Sequence, residues 1–257
     1  MAKPRRFWGS YDFAPHVAVS ARKGQAQAEI AALRKKGREL SPITIEGRTI
    51  ASTFWGRAWC TNLEAYSDYA TRLPRGRSYV RNGAVLHLEI REGAIDALVL
   101  GSSTYTVTIA ITPIAKPRWI NVVAACSGKI DSLVALLRGT LSSAVMEIVT
   151  RPSKGLFPTP SEIKLSCSCP DWATMCKHVA AVLYGVGARL DREPELLFRL
   201  RAVDPSSLFA KSALTQAAKT PRARTLPENV LADVFGIEMV AEDGEMRARV
   251  KKVRRAR

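Results

Sequence analysis

Hydrophobic and polar residues alternate most regularly between residues 85 and 112. In 85–91, every second side chain is Leu or Ile, and the positions between them are polar. A more apolar run follows at 95–100, and alternation returns from Tyr105 to Thr112. Successive side chains of a strand point to opposite faces, so this pattern predicts three antiparallel strands with short turns and one buried face.

Helical periodicity flanks this region. It predicts a helix at about 24–38, with a thin apolar side, and a second helix at 53–67. The second helix carries Trp55, Trp59, Leu63 and Tyr66 on one side. An aromatic stripe at this spacing favours core packing for Trp55 and Trp59, with base stacking as the open alternative. The basic stretch 73–77 is interpreted as a link to the first strand.

A broad apolar stripe predicts a long helix over 130–149, and prolines at 152, 158 and 160 then mark a linker. A short strand at 162–166, a mostly apolar helix at 178–190 and a further helix near 193–202 follow. Beyond about 205 the pattern is looser, with one short helical candidate at 227–236. Strands grouped between helices favour an α+β fold.

Three cysteines and a histidine fall within twelve residues, at the spacing C-x-C-x6-C-x-H. In an extended segment Cys167 and Cys169 face the same way, and the turn after them returns Cys176 and His178 at the start of a helix. Three thiolates and one imidazole match a closed structural zinc site, so we predict one structural Zn²⁺ ion. Disulfide or redox chemistry and iron–sulfur ligation are the weaker alternatives.

Four residues near the cluster have candidate supporting roles. Zinc with three thiolates carries a net charge of −1, which Lys177 and Lys164 are placed to offset. Asp171 is expected to cap the turn or to support a ligand. Trp172 can either cap the small core of the finger or contact a partner.

The residues around the cluster resemble a SWIM zinc finger. The opening C-S-C-P-D-W and the closing C-K-H match the family pattern at every ligand position. Upstream, the stretches at 53–59 and 73–86 resemble the N-terminal module of bacterial SWIM proteins, although Phe54 stands where the family has a second Trp. The resemblance covers about 48–200. It implies DNA or protein binding and a link to helicase-like Swi/Snf-type ATPases.

These observations together predict an α+β protein: a small antiparallel sheet with packing helices, then a zinc-stapled strand–loop–helix finger and basic flanking ends. Four segments are expected in chain order: a basic arm and helix at 1–48, an α+β module at 49–157, the finger at 158–191, and a helical C-terminal segment with a basic tail at 192–257.

The chain is strongly basic. Thirty-nine Lys and Arg against 23 Asp and Glu give a formal net charge of +16. This balance favours polyanionic partners, above all nucleic acid, and DNA in particular, reached through the basic ends; a generally basic surface without a cognate partner is the alternative. No signal peptide or apolar run long enough to span a membrane is visible, so we expect a cytoplasmic protein, associated with the nucleoid if bacterial.

The remaining candidate residues favour structural roles. Cys60 and Cys126 are expected to be buried core thiols, and neither His16 nor His87 has metal-like neighbours. His87 lies on the polar side of a strand and is expected to be solvated. A possible acidic cluster consists of Glu89, which faces outward, and of Glu92 and Asp96, which are assigned to a hairpin turn.

The leading hypothesis is therefore a non-enzymatic, zinc-binding protein that binds DNA with low sequence specificity or acts as a DNA-linked adaptor. The alternative is a protein-interaction scaffold that docks a helicase-like ATPase or a recombination partner. A metal-dependent nuclease or transposase fragment is disfavoured, because no clear carboxylate constellation is present. The chain has no P-loop motif, so any ATPase activity would have to come from a partner.

Overall fold

The computed structural model describes residues 19–66, 72–130, 133–171 and 173–208 of the chain. All of them belong to one compact unit. The helices in this part of the chain are α1 Val19–Lys35, α2 Phe54–Glu64, α3 Leu73–Arg81, α4 Lys116–Cys126, α5 Leu133–Arg138, α6 Ser143–Thr150, α7 Lys177–Leu190 and α8 Glu195–Leu200. The strands are β1 Val85–Arg91, β2 Ala94–Leu100, β3 Thr104–Ile111 and β4 Ile163–Cys167.

The four strands form one antiparallel sheet in the order β1-β2-β3-β4. Its register pairs Glu89 with Asp96 and Val107 with Cys167. In β3, buried and outward-facing residues alternate along the strand, as the sequence pattern predicts. The α+β fold class is thereby confirmed, and the strand that leads into the cysteines is the fourth strand of the same sheet.

Helix α7 covers the buried face of the sheet and contacts all four strands. Helices α2 and α3 pack on α7, so it lies at the centre of the core and is almost entirely buried. Trp55 and Trp59 are 1% and 3% exposed, and their indole N–H groups donate to Leu136 O and Leu183 O at 2.9 and 2.8 Å. The prediction that both tryptophans belong to the core is confirmed. Base stacking by these rings is excluded by their burial.

The approach of α3 to α7 depends on Gly76. A Cβ atom at this position would lie 2.5 Å from Ala180 Cβ and 3.0 Å from the backbone nitrogen of Ala181. Real Cβ atoms do not approach other atoms this closely, so any larger residue at 76 would force the two helices apart. Leu73 and Val80 complete the buried side of α3.

A fully buried arginine connects α8 to the start of β4. Arg201 is 0% exposed, and its Nη2 lies 2.9 Å from Glu162 Oε1, while Nη1 donates to Thr112 O at 2.6 Å. Arg118 reaches the same carboxylate at 3.1 Å to each oxygen. Glu162 therefore holds two arginines, and together they join α4, the end of β3 and the C-terminal end of α8.

Two secondary-structure predictions are wrong, and one helix is missing from the predicted elements. The basic stretch 73–77 is not a link but the start of α3, with Pro74 in its first turn, where the missing N–H of proline costs no helical hydrogen bond. The helix predicted at 130–149 is divided into α5 and α6 around Gly139, which has φ +68° and ends α5. Helix α4 was not predicted at all.

Two predictions about β1 and β2 also need correction. His87 is half-buried rather than solvated, and its Nδ1 accepts a hydrogen bond from Ser41 N at 3.0 Å. Burial lowers the pKa of His87. Asp96 lies within β2 opposite Glu89, not in the turn, and it forms an ion pair with Arg91.

Other boundaries agree closely with the predicted ones, since α2, β1–β4, α7 and α8 each lie within a few residues of their expected positions. Helix α1 begins earlier than predicted, at Val19.

The division into four segments stays a prediction. The predicted helix at 227–236, His16 and the basic tail lie outside the described residues. No helix in the described part of the chain is long and apolar enough to cross a membrane.

Candidate metal centre

The four predicted ligands come together where β4 meets α7. Cys167 is the last residue of β4, and its place in the sheet is fixed by pairing with Val107 of β3. Cys176 is the N-cap residue of α7, where its Sγ accepts from the backbone N–H of Val179 at 3.5 Å. His178 lies in the first turn of the same helix. A strand end and a helix start, both fixed by the core, therefore position three of the four ligands.

The distances fit a single metal ion. The Sγ atoms of Cys167 and Cys176 both lie 3.9 Å from Nδ1 of His178, and all four candidate ligand atoms, including that of Cys169, lie within 4.8 Å of one another. In a tetrahedral zinc site the sulfur and nitrogen atoms are about 3.6 Å apart and the sulfurs about 3.8 Å apart. Binding therefore requires only a small contraction of the group. The four residues are positioned to bind one metal ion, and the donor set is that of a structural zinc site.

The electrostatics of the centre suit a neutral imidazole. Burial, followed by the charge of Lys177, lowers the pKa of His178 to about 4, so its ring is uncharged near neutral pH. Burial raises the pKa of Cys167 to about 12 and also raises the pKa of Cys176. A bound metal cation reverses the preference of these cysteines for the protonated thiol, because a coordinating thiol is deprotonated outright. Zinc binding must therefore displace protons from buried thiols.

Packing orients the imidazole of His178. Its ring lies against Tyr105, with centroids 4.6 Å apart, and Tyr79 contacts it edge-on at 5.4 Å. Its Nε2 is buried and has no hydrogen-bond partner among the described residues. Gly101 makes room for the ring, because a Cβ atom there would lie 2.7 Å from Nε2. With Nε2 enclosed in this way, Nδ1 is the nitrogen that faces the sulfurs.

The loop between the cysteines is held by Asp171, as predicted. One carboxylate oxygen accepts from the backbone N–H of Ala173 at 3.2 Å, which caps the turn. The other lies 3.2 Å from Nη1 of Arg72, just before α3. This ion pair ties the ligand loop to the helix that packs on α7.

The two lysines expected to offset the charge of the site differ in their position relative to the ligands. Lys177 lies between two ligands, with its Nζ 5.9 Å from the centroid of the Tyr79 ring. Lys164 is exposed and lies on the opposite face of β4 from Cys167, because side chains alternate along a strand. Only Lys177 is therefore placed to balance the zinc–thiolate charge. Trp172 lies outside the described residues.

The other cysteines are core thiols, as predicted. Cys126 is fully buried, and Cys60 packs against the core from α2. Burial raises the pKa of Cys60 to about 12 and raises that of Cys126, so both remain thiols at neutral pH. Among the described residues, the Cys3His group is the one cluster of three or more potential metal ligands with its atoms in mutual reach.

Sequence reasoning did not identify Arg72, Tyr79, Gly101 and Tyr105 as parts of the centre. The alternation in 105–112 indicates only that Tyr105 lies on the buried face of a strand. Its contact with His178 depends on where α7 crosses the sheet, which no local pattern specifies. The density of arginines in 72–81 is the one signal that could have drawn attention to α3.

Comparison with known proteins agrees with this geometry. The sequence profile of the SWIM zinc finger matches residues 153–186, which include all four ligands. The chain is also 33% identical over 171 residues to the uncharacterized protein Rv2102 of Mycobacterium tuberculosis. That stretch covers 65% of this chain and 61% of the relative, so the chain spans less than two thirds of the relative's length. No solved structure matches the chain. Residues 153–186 are therefore a SWIM zinc finger, in which Cys167, Cys169, Cys176 and His178 are positioned to bind the metal.

Proposed function

We propose that this protein is a non-enzymatic DNA-binding protein in which zinc maintains the fold and Lys and Arg residues provide the affinity. The observation that carries the proposal is the formal net charge of +16. The excess is concentrated at the ends of the chain. Residues 1–48 contain ten basic and four acidic side chains, and residues 246–257 contain seven basic side chains and no acidic one. A cytoplasmic location, with the nucleoid if the protein is bacterial, is part of this proposal.

Such a charge distribution suits binding to the phosphate backbone. Each phosphate that a Lys or Arg neutralises releases condensed counterions, which favours association and makes it depend on salt. Phosphate contacts carry no sequence information directly, so the proposed binding is tolerant of sequence.

The chemistry of the metal centre supports a non-enzymatic role. Three thiolates and an imidazole fill the four positions of a tetrahedral zinc ion and leave none for substrate or water. The acidic residues considered for a nuclease give little support for a catalytic metal site. Asp96 is in an ion pair with Arg91, and its other carboxylate oxygen accepts from the Thr108 hydroxyl at 3.3 Å. Glu89 and Glu92 are exposed.

Salt-dependent binding tests the proposal. Binding isotherms of the full chain and of a chain without 246–257 would be measured on one duplex and one single strand at several salt concentrations. We expect log affinity to fall linearly with log salt, and the truncation to make the slope shallower by about 0.9 for each duplex phosphate that the tail neutralises. Zinc content should be unchanged, since the deletion lies outside the finger. The proposal fails if the full chain does not bind at low salt. Equal slopes would reject the role of the tail.

Two exposed hydrophobic side chains favour a second candidate, a scaffold that docks a helicase-like ATPase or a recombination partner. Ile120 on α4 is 59% exposed and Val134 on α5 is 56% exposed. Single exposed hydrophobic residues are common on protein surfaces, so this observation is weaker than the charge. Copurification of a partner ATPase with the native chain, lost in an Ile120→Ser/Val134→Ser variant, would favour the scaffold over the DNA-binding protein.

A further inference from the structure

Helix α3 is the most basic folded element near the metal centre. Residues 72–81 contain four arginines and no acidic residue. Two of these arginines are used within the protein. Arg72 pairs with Asp171 at 3.2 Å, and Arg77 pairs with Glu64 at 2.9 Å. The other two, Arg75 and Arg81, are exposed and form no ion pair with any described residue.

The exposed arginines lie on the side of α3 that faces away from the core. Leu73, Gly76 and Val80 form its buried side. At 100° per residue, Arg75 and Arg81 flank the opposite side, and their Cα atoms are about 9 Å apart along the axis. Two long cationic side chains at this separation are able to reach different phosphates of one nucleic-acid strand.

This face is held in a fixed position. The close approach at Gly76 seats α3 on α7. Arg77 adds a second attachment, since its Nε donates to the hydroxyl oxygen of Tyr184 at 2.7 Å, and that hydroxyl donates to Glu64 at 2.8 Å. Cations on a rigid helix lose less conformational entropy on binding than cations on a chain that must first be ordered.

The same helix is attached to the metal centre at two points. Arg72 contacts Asp171 in the ligand loop, and the Tyr79 ring packs edge-on against His178 at 5.4 Å. Lys177, between two ligands, extends the positive charge towards α3, with its Nζ 5.9 Å from the Tyr79 ring. Among the described residues, the nearby carboxylates of Asp171 and Glu64 are each paired with an arginine of the 72–81 stretch. They therefore do not offset the exposed cations.

We infer that Arg75, Arg81 and Lys177, here named the α3 basic surface, form a zinc-ordered contact for the phosphate backbone of duplex DNA. This inference rests on the proposed function and adds a folded binding surface to the basic ends. Because the surface depends on the finger for its position, loss of zinc weakens DNA binding even though no metal ligand touches DNA.

The test compares two variants that remove the same charge. Arg75→Ala/Arg81→Ala removes two cations from the α3 basic surface, whereas Lys129→Ala/Arg138→Ala removes two exposed cations from the α4–α5 region. Both would be made in the full chain, and binding to one duplex would be followed across salt concentrations. Zinc content and melting temperature would be measured for each variant. The substituted side chains form no ion pairs among the described residues, so both proteins should fold.

We expect the α3 variant to bind roughly fifty-fold more weakly at about 0.1 M salt, with a slope shallower by about 2, and the control variant to bind nearly as the wild type. The inference is overturned if wild type binds and the two variants behave alike. If wild type itself does not bind, the proposed function fails with it. A Cys176→Ser chain should also bind DNA more weakly than wild type, and equal affinity would overturn the role of zinc in ordering the surface.

Discussion

The imidazole of His178 rests on the ring of Tyr105, with centroids 4.6 Å apart and ring planes inclined by 32°. Tyr105 belongs to β3 and His178 to α7, so the packing of helix on sheet sets the orientation of a metal ligand. Metal-bound histidines usually donate their other ring N–H to an oxygen. Here Nε2 is buried without a partner among the described residues, and aromatic packing takes over the orienting role.

Gly101→Ala should weaken zinc binding. The added Cβ would lie 2.7 Å from His178 Nε2 and 2.7 Å from Tyr105 Cε2, so the imidazole must shift away from the position that aims Nδ1 at the sulfurs. Perturbing the groups that orient a ligand typically costs about 10- to 100-fold in metal affinity. Competition with a chromophoric chelator measures the change. Gly24→Ala, where a Cβ would meet nothing within 4 Å, is the control and should bind zinc as wild type does.

Cys176→Ser should lose the metal and loosen the finger. Elemental analysis of wild type purified without chelator should give about one zinc per chain. In the variant, amides of 160–190 should exchange faster with solvent, because metal binding and local folding are one equilibrium. Cys126→Ala and Cys60→Ser should keep the zinc, since neither sulfur is in the cluster. Wild-type protein that is free of metal yet has a protease-resistant finger would contradict this prediction.

Zinc affinity should rise with pH. In the metal-free chain, burial keeps Cys167, with a pKa of about 12, and Cys176 protonated at neutral pH. Binding must therefore release at least these two protons, so log affinity should increase by at least about two per pH unit between about pH 6 and 8. His178 adds nothing in this range, because its pKa of about 4 leaves it neutral. Calorimetry in two buffers of different ionisation enthalpy counts the protons; a value near zero would contradict the protonated thiols.

The sheet and the metal ligands could be predicted from sequence because both are encoded locally. Alternation from Leu86 to Ile111 specifies strands whatever packs on them. The four ligands lie in one short segment, from Cys167 to His178, so a single loop is enough to bring them together. These two signals are enough for the fold class and for the four metal ligands.

Features that depend on packing could not be predicted in this way. Helix α3 has a hydrophilic sequence, and it is a helix because Leu73, Gly76 and Val80 fit against α7. The apolar stripe of 130–149 gives no sign of the break at Gly139. This glycine has a positive φ and lies close against the side chain of Phe54. The buried ionic cluster at Arg201 joins segments that are far apart in sequence, so no local pattern reveals it.

Arg201→Met should destabilise the protein strongly. The substitution leaves Thr112 O without its 2.6 Å donor and removes one of the two arginines that balance the half-buried Glu162. Removing one partner of a buried ion pair costs about 3–5 kcal/mol, although Arg118 still contacts Glu162 and places the expected loss near the lower end. Urea denaturation of wild type and variant measures the difference. Arg199→Met, an exposed position on the same helix, is the matched control and should change the free energy of unfolding by less than about 0.5 kcal/mol. If both variants lose the same small amount, the cluster does not contribute the stability that its burial implies.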